Sequence, residues 1–283
     1  MIYLKGIDNG LIIGILDNAS ENAKSDLPCY VVDGIEYCAT CQTPRQKRIT
    51  LLGKKRIVNM PCDCRKRALE AEEQERKQRD DAARIQRNIS IGMRDISYRS
   101  MTFENSNIDL LRENNYCMKF KNMQDMNTGV MFLGGVGTGK TFRAACIGNQ
   151  LLRHGYTVYM DNITSLCTTL QGHFKDMQDY IKAITSYDLL ILDDIGAERR
   201  TEYMIELVYN IIDSRYRAKK PLIITSNLHP DEMKSAEDIR LKRTYDRLFE
   251  MCPYPIILNE DSHRRNIGND KRLKLKELLE NGI

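Results

Sequence analysis

The sequence predicts an α/β fold, a five-stranded parallel sheet flanked by helices, preceded by a small cysteine-bearing module and a charged helical linker. Three observations predict it. From about residue 100 onward, five short apolar runs alternate with helical patterns, the rhythm of parallel strands joined by crossover helices. The first of these runs, Val130-Met131-Phe132-Leu133, leads directly into Gly134-Gly135-Val136-Gly137-Thr138-Gly139-Lys140-Thr141. Near the start stand two cysteine pairs, Cys38-Ala39-Thr40-Cys41 and Cys62-Asp63-Cys64.

With 283 residues, 42% of them hydrophobic, the chain can bury a full-sized core and hold one large domain or two unequal ones. A net charge of +4 permits nucleic-acid contact without demanding it. No apolar run is long enough to cross a bilayer, and no membrane partner is expected. The apolar stretch from Gly10 to Leu16 is short and bracketed by Asp8 and Asp17, unlike an export signal. Nine cysteines without such a signal point to the reducing cytoplasm, where metal ligation is favoured over disulfides.

Residues 1–28 carry two weak apolar patches, around Tyr3 and at Leu11-Ile12-Ile13, and their element type stays open. The cysteine pairs that follow offer four soft ligands, Cys38, Cys41, Cys62 and Cys64, the set a tetrahedral Zn²⁺ needs. Between them, Ile49-Thr50-Leu51-Leu52 and Arg56-Ile57-Val58 flank Gly53-Lys54-Lys55 and predict a β-hairpin. A hairpin stapled at its base by metal is a zinc ribbon, and residues 1–65 are expected to form such a domain. Isolated Cys29 is a poorer ligand. A thioredoxin-like role for Cys38 and Cys41 lacks the surrounding βαβ pattern. Residues 66–99 are rich in glutamate, lysine, arginine and alanine without proline, which predicts a helical linker. Over Arg65 to Arg87 the only large apolar residues are Leu69 and Ile85, which makes a solvated helix the plain reading and a partner-binding or nucleic-acid-contacting helix the sharper one.

Residues 100–283 are expected to form the α/β domain, with helices near 108–122 and 163–180, the second interrupted at Gly172-His173-Phe174-Lys175. The glycine-rich stretch fits G-x-x-x-x-G-K-[ST], the phosphate-binding P-loop. Its glycines allow positive φ, so that backbone N–H groups converge on phosphates. Lys140 would lie on the β- and γ-phosphates and Thr141 on Mg²⁺. Phe142 opens the helix whose N-terminus faces the nucleotide. Candidate nucleotide contacts are therefore Gly134, Gly135, Val136, Gly137, Thr138, Gly139, Lys140, Thr141 and Phe142. Gly155 to Met160 is the second strand, and Leu189-Leu190-Ile191-Leu192 the third, ending in Asp193-Asp194. A carboxylate at the C-terminal end of a buried parallel strand faces the ligand crevice. Asp193 is placed to hold Mg²⁺ through water, and Asp194 to orient or deprotonate the attacking water. A helix with Met204, Leu207, Val208, Ile211 and Ile212 on one side leads to the fourth strand, Pro221 to Asn227. Asn227 would reach the γ-phosphate or the lytic water. A basic helix, Arg240 to Leu248, precedes the fifth strand at Pro255 to Leu258.

With the P-loop, Asp193-Asp194-Ile195-Gly196-Ala197-Glu198, Thr225-Ser226-Asn227 and Tyr245-Asp246-Arg247-Leu248 in this order, the chain resembles the DnaC/DnaI/IstB group of AAA+ ATPases over about Ser100 to Arg265. Phage-encoded DnaC-like replication proteins tend to carry a similar N-terminal cysteine cluster. The resemblance implies an ATPase that uses ATP and Mg²⁺ and loads a replicative hexameric, DnaB-like helicase onto single-stranded DNA. The N-terminal domain would hold the helicase, and the active form would be a helical or ring-like oligomer. By position, Asn227 is similar to sensor 1, Arg247 to the arginine finger that reaches a neighbouring subunit's γ-phosphate, and Arg264 to sensor 2. Arg243, one helical turn earlier, rivals Arg247. Asp194 stands where many AAA+ proteins have Glu, which fits slow, switch-like hydrolysis. The resemblance also places Phe174 and Lys175 on single-stranded DNA, a stacking ring beside a phosphate-neutralising cation. A core Phe beside a solvated Lys is the plain alternative. Two other functions compete: an IstB-like transposition helper acting on duplex DNA, and a zinc-containing adaptor that keeps nucleotide only as a structural ligand.

Overall fold

The computed structural model describes residues 28–259, apart from 52, 173–175 and 198–200, together with 271, 272, 274–276, 278 and 279. The chain divides into two compact units, Met1–Ala82 and Ala83–Ile283.

In the first unit, β1 (Cys29–Val32) and β2 (Ile35–Cys38) form one antiparallel hairpin, and β3 (Gln46–Leu51) and β4 (Lys54–Asn59) a second. The second is the hairpin expected from the sequence, extended at both ends. The first was not expected, although Asp33-Gly34 carries its signal. Both residues take positive φ, 50° and 70°, as a tight two-residue turn with the native twist requires. Backbone bonds from Arg45 N–H to Glu36 O (2.6 Å) and Met60 N–H to Arg45 O (2.7 Å) tie the hairpins together. Helix α1 (Asp63–Gly92) then runs through the point where the chain divides. It covers most of the predicted 66–99 linker. Its residues are mostly exposed along 63–82, as its charge content requires.

The second unit continues with the short α2 (Ile96–Arg99), then α3 (Leu111–Met118) and α4 (Phe120–Asp125) where one helix was expected. The alternating core follows: β5 (Val130–Gly134), α5 (Lys140–Arg153), β6 (Val158–Asn162), α6 (Ile163–Gly172), α7 (Met177–Ser186), β7 (Leu189–Ile195), α8 (Glu202–Arg217), β8 (Leu222–Ser226), α9 (Pro230–Lys234), α10 (Ile239–Met251) and β9 (Pro255–Leu258). The five strands are parallel, in the order β6-β7-β8-β5-β9. Because successive strand residues point to opposite faces, each strand feeds two cores. Met131, Leu133, Leu190, Leu192, Leu222 and Ile224 pack on the face covered by α6, α7, α8 and α10. Phe132, Leu189, Ile191 and Ile223 pack on the other, against α5 and α3. Each such side chain contributes about 1.5–3 kcal/mol on burial, which is why these runs show no polar alternation.

Two details fix where the site lies. Arg215 of α8 is fully buried and donates to the carbonyls of Thr185, Tyr187 and Asp188 at 2.8, 2.6 and 3.0 Å, and to Pro221 O at 3.1 Å. It thereby ties the loops feeding β7 and β8, and burial pulls its pKa down to about 9. At the other end of the sheet, Gly134 closes β5 with φ of 145°. A Cβ there would stand 2.3 Å from Leu258 O of β9, so only glycine lets the two backbones approach. No helix among the described residues is long and apolar enough to cross a membrane.

Candidate nucleotide-binding site

The site is assembled at the C-terminal ends of β5, β7 and β8. After β5 the chain turns through Gly137 (φ 84°) and Gly139 (φ 87°), and α5 starts at Lys140, so that the positive end of its dipole opens onto the turn. Thr138 closes the loop by donating to Gly135 O at 3.0 Å. The Lys140 ammonium donates to Gly134 O (2.9 Å), Gly135 O (2.7 Å) and Asn227 Oδ1 (2.8 Å). P-loop lysine and strand-end asparagine, 87 residues apart, thus meet directly.

Asp193 is 3% exposed and surrounded by hydroxyls. Its Oδ1 accepts from Thr141 at 2.8 Å and Thr225 at 2.7 Å, and its Oδ2 from Tyr98 at 3.2 Å. Burial raises its pKa, and the Thr225 and Thr141 hydroxyls oppose the shift. A desolvated carboxylate beside a threonine hydroxyl is a pair of hard oxygen donors, the set that suits Mg²⁺. The residues present fit that ion. Asp194 leaves the strand register: the β7–β8 pairing is irregular between Leu192 and Ile195, and Asp194 takes φ of 59°. Its N–H is bonded by Thr225 Oγ1 at 2.9 Å. Such a bulge re-aims a side chain at the rim of a sheet, and here the half-exposed Asp194 carboxylate lines the cleft.

That cleft holds about 430 Å³, the size class of small-ligand sites. One wall is the loop from Val136 to Phe142 with Asp194 and Asn227. Facing it are Met101, Asn105, Asn107 and Ile108, an apolar and amide surface suited to a planar base.

The two candidate finger arginines of α10 differ. Arg247 lies 2.7 Å from the Asp213 carboxylate, with its guanidinium 4.9 Å from the Tyr209 ring centre and 5.6 Å from that of Tyr216. It is held between α8 and α10. Arg243 is exposed. Arg264, Phe174 and Lys175 lie outside the described residues.

In the first unit the Sγ atoms of Cys38, Cys41 and Cys62 all lie within 4.8 Å of one another. Cys64, in the first turn of α1, is not in that tightest set. Contact with the Cys41 thiol nevertheless pushes its pKa up to about 11. All four are free thiols, a soft donor set that fits Zn²⁺.

Sequence reasoning missed three contributors. Thr225 was legible only as part of a motif, not as the hydroxyl bridging both acids. Tyr98 carries no sequence signal, being a lone tyrosine 95 residues from its partner. Glu113 and Arg143 form a buried ion pair at 2.8 Å joining α3 to α5. A hint lies in Arg143, a charge directly before the small and apolar run Ala144-Ala145-Cys146-Ile147 of α5.

A family model described as IstB-like ATP binding protein matches residues 65–269. The chain is similar to the uncharacterized protein YdaV of Escherichia coli (strain K12), 30% identical over 143 residues that cover 50% of this chain and 56% of YdaV. It is also similar to the replicative helicase loader DnaC of the same strain, 25% identical over 178 residues that cover 60% of this chain and 71% of DnaC. Thus the chain spans little more than half the length of the first of these relatives. Among solved structures it is similar to the crystal structure of the DnaC helicase loader, with a TM-score of 0.52 at 22% identity, covering 58% of this chain and all of that one. That last likeness is one of fold.

Proposed function

The chain belongs to the family of IstB-like ATP-binding proteins, with the AAA+ P-loop fold, and from that premise we propose that it is an ATP-dependent loader of a replicative hexameric helicase. The observation that carries this reading is the pair of direct contacts at the strand ends, Lys140 with Asn227 and Thr141 with Asp193, beside a cleft lined by Lys140, Thr141, Asp194 and Asn227. The relatives named as replicative helicase loaders supply the class of partner.

In this reading Lys140 and the loop N–H groups bind the β- and γ-phosphates, and Thr141 and Asp193 hold Mg²⁺. The ion, when bound, neutralises phosphate charge and fixes its geometry. Asp194 orients the attacking water, and Asn227 moves between Lys140 and the γ-phosphate. An exposed arginine from a neighbouring protomer, Arg243 or a released Arg247, completes charge stabilisation in trans; Arg264 acts on the subunit's own nucleotide. Hydrolysis is slow and coupled to assembly. Cys38, Cys41, Cys62 and Cys64 hold one structural zinc in the unit that engages the helicase, while Phe174 and Lys175 contact the single-stranded DNA that receives it.

The test is co-purification with the host hexameric helicase, with and without ATP, for the parent chain and for Lys140→Ala. Nucleotide-dependent capture by the parent and none by the variant is expected. Tight duplex binding without helicase capture favours the transposition-helper reading. A Lys140→Ala chain that binds ATP as the parent does refutes the site.

A further inference from the structure

The end of α1 meets the nucleotide centre through one side chain. Tyr98 is 5% exposed, and its hydroxyl donates to the oxygen of Asp193 that Thr141 and Thr225 do not touch. The torsion of a carboxylate about its last bond is soft and roughly two-fold, so a donor on each oxygen is what fixes it. The backbone beside Tyr98 is itself clamped. Asn149 of α5 donates to the carbonyls of Tyr98 and Met101 at 2.8 and 2.7 Å. The adjacent Arg99 reaches back to Ser90 O at 3.0 Å, a carbonyl of the last turn of α1, and to Met93 O at 3.3 Å, one residue past its end. Arg94 N–H, at the same place, bonds Met160 O of β6 at 3.1 Å. From Asp193 to the end of α1 there is thus an unbroken run of direct contacts.

We propose that Tyr98 is a positioning residue that fixes the Asp193 carboxylate for a divalent cation and transmits occupancy of that centre, through α2 and Arg99, to the end of α1. The proposal rests on Asp193 being the metal-holding carboxylate. A cation that shifts this carboxylate takes the tyrosine hydroxyl with it. The ring is rigid and packed in the core, so the displacement passes to its backbone and to the cap that Arg99 places on α1. The long charged helix is thereby joined to the nucleotide state.

The test uses the full chain, a fluorescent ATP analogue titrated with Mg²⁺, and hydrogen exchange at the Met93 and Arg94 amides. In the parent, Mg²⁺ with nucleotide should slow exchange at both amides. Tyr98→Phe, which removes only the hydroxyl, should raise the Mg²⁺ midpoint about tenfold, the loss of one charge-assisted hydrogen bond. It should leave metal-free nucleotide affinity unchanged and abolish the exchange response. Arg99→Gln keeps the hydroxyl in place, so it should retain the parent's midpoint while losing the response, and it decides the coupling even where the Phe variant does not fold. A Phe variant with the parent's Mg²⁺ midpoint overturns the positioning role. A Gln variant with the parent's exchange response overturns the transmission. A parent that binds no nucleotide overturns the ATP-site reading and this proposal together.

Discussion

Thr225→Val probes the centre without changing its shape. The Thr225 hydroxyl is fully buried, donates to Asp193 Oδ1 at 2.7 Å and accepts the Asp194 N–H at 2.9 Å. Valine keeps the volume and loses both bonds. A hydrogen bond to a carboxylate is worth about 1.5–3 kcal/mol, and an orphaned buried amide costs about 1–3 kcal/mol. The two share one atom and do not add fully, so the expected loss is about 2–4 kcal/mol. It should appear as a lower urea midpoint at unchanged slope. Function should suffer more than stability, because Asp194 holds its left-handed conformation (φ 59°) through that bond. With Asp194 in the water-orienting role proposed for it, freeing its backbone should lower turnover on the order of a hundredfold. Thr225→Ser retains the hydroxyl and should recover most of the turnover. A valine chain within about 0.5 kcal/mol of the parent and with undiminished ATPase activity would refute the bridging role.

Three further outcomes are expected. Arg247→Ala should lower stability by about 1–2 kcal/mol through lost contact with Asp213, Tyr209 and Tyr216, seen in chemical denaturation, whereas the exposed Arg243→Ala should leave stability alone. If Arg243 serves the neighbouring subunit, its removal abolishes assembly-stimulated hydrolysis and spares nucleotide binding; stimulation lost only with Arg247 reverses that assignment. Glu113→Ala removes the carboxylate from the buried Arg143 guanidinium, whose side chain is 9% exposed and which also donates to the neutral Asp109 carbonyl, and should cost about 3–5 kcal/mol; a change under 1 kcal/mol would mean the pair is solvated in solution. Metal analysis should find about one zinc per chain, and its chelation, or Cys62→Ser, should unfold the first unit while the melting of the second is retained; a metal-free chain with native hairpins ends the zinc assignment.

The parts legible in the sequence are those governed by local rules. Leu189 to Leu192 could only be a strand buried on both faces, and the P-loop announces its turn because Lys140 and Thr141 follow glycines at fixed spacing. Met204, Leu207, Val208, Ile211 and Ile212 are all buried as their helical period implied. Other elements escaped because their causes are tertiary. The predicted second strand sits further along, at Val158–Asn162, in register with β7, whereas the interruption expected in the helix over 163–180 is found, α6 ending at Gly172 and α7 starting at Met177. Leu275, Leu278 and Leu279 are exposed, although apolar residues at such helical spacing commonly mark a packed face. At the site, Thr141 and Asp193 were expected together and do meet. The hydroxyls of Tyr98 and Thr225 were not foreseen as partners of Asp193, since no spacing rule joins residues brought together only by the closure of the sheet.

The missing side chain at Gly134 has a practical consequence for deletion work. Because β9 lies flush against the start of the phosphate loop, the stretch Pro255–Leu258 acts as the floor on which that loop is cast. A chain cut before Pro255 would keep the P-loop, Asp193, Asp194 and Asn227 and still lose their shape. Loss of activity after such a truncation would report a collapsed mould rather than a severed partner, and deletion boundaries meant to map docking sites belong beyond Leu258.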